Sequence, residues 1–340
     1  RQERDGGGDG GIGGLGDAGE LLGIEAEIGA GLFEKGFGRK RRIHGVPLPY
    51  LTGEAIFFSR GSGQRAASGV NKGLMNEVAQ AEPWTMTRLR AQHGAARRAA
   101  LEAIYRQYNH AGYRAGDPVS RVWRYTAAED REVMAWMAAA LAYGRVASIL
   151  QGLDELDRRW EGMPARCVRE CSAAELRKLM QGFVYRWTRG SHVAGMLSGW
   201  QAAGVGLRSA LRESADYRGT LGRVRREFLA AAVEDPGHLF PNPEGPGACK
   251  RLAMWLRWMA RRDEIDPGLW AADLNPARLW VPLDTHMFRI ARGLGLTRRR
   301  QPDAEAARRI TAAFARMCPA DPLRYDFGIT RIGMGVSGAD

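Results

Sequence analysis

From residue 86 onward, apolar side chains recur at the 3.6-residue period of an amphipathic helix, and strand-type alternation is nearly absent. One helix is expected over Leu89 to Tyr108, closing near Asn109 and Gly112. A longer one is expected over Glu129 to Gln151, where Val133, Trp136, Met137, Ala140, Leu141 and Gly144 mark one face. Ser172 followed three residues later by Glu175 reads as a capping box that opens a helix running toward Trp187. Further helices are expected near 191–201, 218–233, 249–262, 284–294, 303–317 and 322–334. In two of them the core side is explicit: Leu252, Trp255, Leu256 and Met259 in one, Ala307, Ile310, Phe314 and Met317 in the other. No internal repeat is found. The pattern predicts one all-α domain spanning residues 86–340.

The first 85 residues carry no such pattern. They contain 20 of the 44 glycines, with runs such as GGGDGGIGGLG that cannot bury a core. This Gly-rich leader is expected either to be a disordered tail or not to be translated, with the protein starting at Met86. The best apolar run, Met134 to Tyr143, is much shorter than the roughly 18 residues of a membrane helix, so no membrane partner is expected.

Charge divides the chain the same way. Residues 1–85 hold 10 basic and 11 acidic residues, whereas 86–340 hold 40 basic and 27 acidic. Of those 40, only Lys178 and Lys250 are lysines, and arginine dominance is in part what a G+C-rich genome encodes. A net charge of +13 after Met86 still favours a polyanionic partner, most simply nucleic acid. Cys167, Cys171, Cys249 and Cys318 form no CxxC pair, which disfavours a zinc ribbon or a disulfide scaffold. The six histidines show no metal spacing, and neither GxSxG nor GxxxxGK[ST] occurs. No metal or other cofactor is expected. A reduced, cytoplasmic setting fits, without a secretion signal and close to the nucleoid.

Two segments concentrate chemistry. Pro282-Leu283-Asp284-Thr285-His286-Met287-Phe288-Arg289 places an acid at a helix start, where Asp284 or Thr285 can cap and the helix dipole keeps a carboxylate ionised. His286, Arg289 and Arg292 follow as basic groups. Upstream, Glu244-Gly245-Pro246-Gly247-Ala248-Cys249-Lys250-Arg251 is a Gly-x-Gly turn running into a helix, a geometry that can offer N–H groups to phosphate. Lys250, Arg257 and Arg261 are spaced 7 and 4 apart and so share one stripe of that helix, which reads either as a solvated face or as a nucleic-acid contact.

These segments resemble the helix-hairpin-helix DNA glycosylases of the endonuclease III-like superfamily, in which a hairpin near LPGVGxKTA precedes a VDTHVxRVxxRLG helix. Met134 to Leu153 resembles their early helix, with Ala142-Tyr143-Gly144-Arg145 in place of its DNA-facing turn. From residue 86 to 335 the chain more closely resembles the bacterial domain of unknown function 2400. That resemblance rests on Asp117-Pro118, AYGR, CKRLAMWLRWMARRD, PLDTHMFRIARGLGLT, and Asp321-Pro322 with Tyr325-Asp326-Phe327.

The glycosylase resemblance implies a helix-hairpin-helix glycosylase-like fold and base-excision repair of a damaged base flipped out of duplex DNA, by a monomer. It implies Asp284 as the carboxylate beside the cationic transition state and Lys250 as a Schiff-base amine. It also implies nucleic-acid contacts from Gly245, Gly247, Arg251, Arg257, Arg261, Thr285, His286 and Arg289, with Tyr143, Gly144 and Arg145 at the extruded nucleotide. The chain departs from the pattern in three ways. The hairpin reads Glu-Gly-Pro-Gly-Ala, Lys250 falls one residue late so that Cys249 competes for its slot, and Arg262 to Trp280 looks inserted. No four-cysteine cluster follows, so an iron–sulfur centre is not expected. The alternative is a non-catalytic nucleic-acid-binding module on the same hairpin.

Overall fold

The computed structural model describes residues 84–334; all of the Gly-rich leader but its last two residues lies outside them. The described chain is helical apart from one two-stranded hairpin. In chain order the helices are α1 (Met86–Arg90), α2 (Gly94–Tyr108), α3 (Val119–Val122), α4 (Ala128–Ala140), α5 (Val146–Arg159), α6 (Pro164–Glu170) and α7 (Ala173–Met180). Strands β1 (Val184–Tyr185) and β2 (Thr188–Arg189) follow. The remaining helices are α8 (Gly190–Arg212), α9 (Tyr217–Ala231), α10 (Lys250–Ala260), α11 (Thr285–Gly293), α12 (Ala304–Ala315) and α13 (Asp326–Gly333). Among the described residues no helix is long and apolar enough to cross a membrane.

The core is knit by aromatic side chains from distant helices. Trp136 of α4 meets Trp200 of α8, Phe240, and Trp255 of α10 with ring centroids 5.1 Å apart in each case. Trp255 continues to Trp270 at 5.2 Å, edge to face. Leu252, Leu256 and Met259 are buried beside Trp255 as the periodicity requires, and Ala307, Ile310 and Phe314 are buried on α12. Packing pairs α4 with α10, α8 with α9, and α13 with both α2 and α11.

Three expected helices are broken. The first splits into α1 and α2 at residues 91–93. The second splits at 141–145, because Gly144 sits at φ +96°, outside the helical region. Gly144 is therefore exposed rather than part of the apolar face. The helix opened by Ser172 has the expected capping box, Ser172 N–H donating to Glu175 at 2.8 Å, but stops at Met180 and gives way to the hairpin. Val184 pairs with Arg189 and Tyr185 with Thr188, leaving Arg186-Trp187 as a two-residue turn.

Candidate active site at two helix N-termini

The residues before α10 are held on several sides. Arg218 of α9 donates to the carbonyls of Pro243 at 2.5 Å, Gly245 at 3.1 Å and Gly247 at 2.6 Å. The Gly245 N–H closes the turn onto the Asn242 carbonyl at 3.2 Å, and the Trp280 indole donates to the Ala248 carbonyl at 3.2 Å. From the other side, the Ala304 N–H at the start of α12 donates to the Pro246 carbonyl at 2.8 Å. Pro246 and Gly247 stay exposed at the tip, while Gly245 is half-buried.

The chain then turns through Cys249, which adopts the left-handed conformation at φ 50° and ψ 45°, and Lys250 becomes the first residue of α10. The buried Cys249 thiol donates to the Asn242 carbonyl at 3.3 Å, and burial raises it above the ordinary range of a thiol. The Cys249 thiol is thus turned into the protein, whereas the Lys250 amine is turned toward α11. The Lys250 Nζ lies 3.4 Å from Asp284 Oδ2, with the two side chains 33% and 29% exposed.

Asp284 is the N-cap of α11, and its Oδ1 accepts the Met287 N–H at 2.8 Å. Capping and chemistry are therefore not rival uses of this residue. One carboxylate oxygen satisfies an orphan N–H of the helix, and the other faces the lysine amine and solvent. An amine and a carboxylate so placed can act on one electrophilic carbon, the amine as nucleophile and the carboxylate as proton acceptor or as counter-charge to a cation.

Around this pair, Thr285 and Arg289 are exposed and His286 is half-buried. Arg289 reaches His286 Nδ1 and the Gly333 carbonyl, each at 3.3 Å, so it also closes α11 onto the end of α13. Beyond the glycine turn, Arg298, Arg299, Arg300, Gln301 and Arg309 line an open recess of about 500 Å³. Arg299 is paired with Asp303, whose backbone lies alongside Gly247, so this basic surface adjoins the glycine turn.

Two of the arginines expected at nucleic acid are corrected outright. Arg257 and Arg261 are 6% and 4% exposed. Arg257 Nε lies 3.0 Å from Asp266 and its Nη1 3.0 Å from Asp326, while Arg261 lies 3.0 Å from Asp321 and also pairs with Asp266 and Asp263. Their stripe points inward, because carboxylates from residues 263–266 and 321–326 close over it. Arg251 is half-buried and engaged within the protein. Its guanidinium donates to the Ala140 carbonyl at 2.8 Å and to the His238 carbonyl, and stands 5.6 Å from the Tyr143 ring. It satisfies a carbonyl at the end of α4 and ties the 141–145 turn to the start of α10.

Tyr143 lies in that turn, half-buried, its hydroxyl 2.5 Å from Thr188 Oγ1 and donating to the Tyr185 carbonyl at 3.2 Å. Arg145 is exposed. The close approach that Gly144 permits is made within the protein: a Cβ there would stand 2.7 Å from Arg186 Nη1. Sequence reasoning missed Arg218, Arg186, Trp187 and His238. Only the β-branched and aromatic run Phe183-Val184-Tyr185-Arg186-Trp187-Thr188 after Gly182 signalled the hairpin.

The family model described as "Protein of unknown function (DUF2400)" matches residues 117–335. The chain belongs to that family. The DUF2400 match spans Tyr143, the glycine turn at 245–247, Lys250 and Asp284, and starts after α2. No curated protein and no solved structure matches the chain.

Proposed function

We propose that this protein acts on DNA as a base-excision glycosylase, on a helix-hairpin-helix framework in which residues 241–249 form the hairpin and α10 and α11 carry the reacting groups. The observation that carries the reading is the 3.4 Å approach of Lys250 to Asp284 at two helix N-termini beside a tethered glycine turn. A base must leave the stack before its N-glycosidic bond can be reached. As that bond breaks, its electron pair departs with the base and positive charge develops on the sugar, as in glycoside hydrolysis. Asp284 Oδ2 stabilises that charge and orients water. Where Lys250 attacks C1′ instead, the base leaves with the electron pair of the glycosidic bond and Asp284 takes a proton from the amine; returning that proton to O4′ as the C1′–O4′ bond opens leaves a Schiff base and opens the way to strand cleavage. The partner is duplex DNA, and the acting form is a monomer associated with the nucleoid.

A non-catalytic binding module is the second reading, favoured by the irregular Glu-Gly-Pro-Gly-Ala hairpin. Incubating the full chain with a panel of duplexes, each bearing one damaged base, separates the two. Base release from at least one duplex is expected. Borohydride should trap an adduct that Lys250→Gln abolishes and Lys178→Gln retains, if the enzyme is also a lyase. Salt-sensitive DNA binding without release from any duplex would leave only the binding module.

A further inference from the structure

Beside the lysine–carboxylate pair stands a second feature that the chemistry above does not use. Of the four large apolar side chains exposed among the described residues, three belong to one neighbourhood: Val146, Val184 and Trp187. Trp187 is the most telling, 54% exposed at the tip of the β1–β2 hairpin. It is not loose. Its ring stacks on Tyr143 with centroids 4.8 Å apart and planes 25° from parallel. Tyr143 in turn is fixed by Thr188 and by the Tyr185 ring at 5.0 Å, with His238 edge-on at 5.3 Å.

The turn that presents Trp187 is strained. Arg186 has φ +53°, one of three positive-φ residues other than glycine among those described, and Cys249 beside the lysine is another. Left-handed backbone at a residue with a Cβ is unfavourable and persists only where the surroundings enforce it. Here Gly144 supplies the room for the Arg186 side chain, whose guanidinium lies 4.7 Å from the Trp187 ring. Arg251, next to Lys250, touches the same Tyr143 ring, so the aromatic group and the reacting pair share one backbone junction.

On the segments that carry Tyr143 and Trp187 the charge has one sign, while Glu234 and Asp235, close to His238 in sequence, are engaged by Arg177 and by the Gly237 N–H. Arg145, Arg186 and Arg189 are all exposed, and none has a salt bridge among the described residues. No Asp or Glu occurs in residues 133–153 or 176–212, the stretches that build this face. A rigid, exposed indole amid unpaired guanidinium groups suits a π-face attached to a phosphate backbone: a base outside the stack of its own strand. An acidic peptide would satisfy the arginines, but it leaves no use for the flat ring.

We propose that the Arg186-Trp187 hairpin, backed by Tyr143, is a stacking platform for one unstacked nucleobase, with Arg145 and Arg189 on the flanking phosphates. This rests on the reading of the protein as nucleic-acid-binding, but not on catalysis. The test uses the full chain carrying Asp284→Asn to prevent turnover. It compares binding to a fully paired duplex with binding to the same duplex carrying a single-nucleotide bulge of 2-aminopurine. The bulged duplex should bind roughly tenfold or more tightly, the order of one base–aromatic stack, and 2-aminopurine fluorescence should be quenched. Trp187→Ala should remove the preference and the quenching, changing affinity for paired duplex less than twofold, and Trp187→Phe should restore much of both. Unchanged preference in Trp187→Ala, or equal salt-sensitive binding of both duplexes by the parent, overturns the platform and leaves the DNA reading standing. Binding to neither duplex removes both.

Discussion

Replacing Asp284 separates its two uses, because each falls on a different oxygen. Asp284→Asn keeps an acceptor at the N-cap position, where Asn is about as effective as Asp, and so retains the bond from the Met287 N–H. It removes the charge facing Lys250, from a pair about one-third exposed. Such pairs contribute up to about 1 kcal/mol, and loss of the carboxylate's interaction with the helix dipole costs about 0.3–1 kcal/mol more. The sum, at most about 2 kcal/mol, lowers Tm by no more than about 8 °C for a domain of this size. A fold with about 5–15 kcal/mol to spare remains almost entirely native at 25 °C. If the carboxylate stabilises a cationic transition state by about 4 kcal/mol, base release falls about a thousandfold, far beyond what partial unfolding could produce. Asp284→Ala removes the cap too and should cost about 1 kcal/mol more in stability with no further loss of rate. Single-turnover base release, with thermal melting followed by circular dichroism, measures both quantities. Full base release by Asp284→Asn would reduce Asp284 to a cap. A melting loss well beyond the calculated range would make the residue structural and void the catalytic inference.

Two further outcomes follow from the packing. Arg257→Leu strands the buried carboxylate of Asp326 and leaves Asp266 to Arg261 alone, which should cost about 3–5 kcal/mol and lower Tm by at least about 6 °C. The salt dependence of DNA binding should not change; a reduced salt slope would return Arg257 to the nucleic-acid surface. Glu102 of α2 accepts from Arg324 Nε at 3.0 Å and from the Tyr325 hydroxyl at 2.6 Å. The Arg324 hydrogen bond leads in holding its carboxyl below the ordinary 4.5, against a smaller opposing effect of burial. A depressed carboxylate stabilises the fold above its unfolded value and loses that contribution as pH falls through the folded one. The Tm of the wild type should therefore drop more steeply below about pH 4.5 than that of Glu102→Gln, and parallel pH profiles would refute it.

The helices with a clear apolar stripe were legible, since Leu252, Trp255, Leu256 and Met259 could be buried together only on a helix. So was a cap at Asp284 or Thr285, because proline and an apolar step on either side leave few other local structures, and the Met287 N–H decides for Asp284. The direction of the Arg257–Arg261 stripe was not legible. Spacing places both on one face, but whether that face is wet depends on Asp266, nine residues from Arg257, and on Asp326, 69 residues away. The β1–β2 hairpin escaped because strands of two residues are too short to show alternation. The break at 141–145 escaped because apolar residues run through it on both sides, with Gly144 as the single signal.

Backbone conformation at Cys249 decides where the lysine points. On a helix each residue rotates a side chain by about 100°, so the residue at which α10 begins fixes whether Lys250 meets Asp284. The left-handed backbone of Cys249 ends the turn and sets that start. The cost is a strained residue whose buried thiol is bonded to the Asn242 carbonyl. The amine then lies 3.4 Å from Asp284. The same device recurs at Arg186, where a left-handed residue sets the pose of Trp187. In both places strain is held beside a side chain aimed at solvent, so backbone conformation, more than residue spacing, determines which groups meet at this end of the protein.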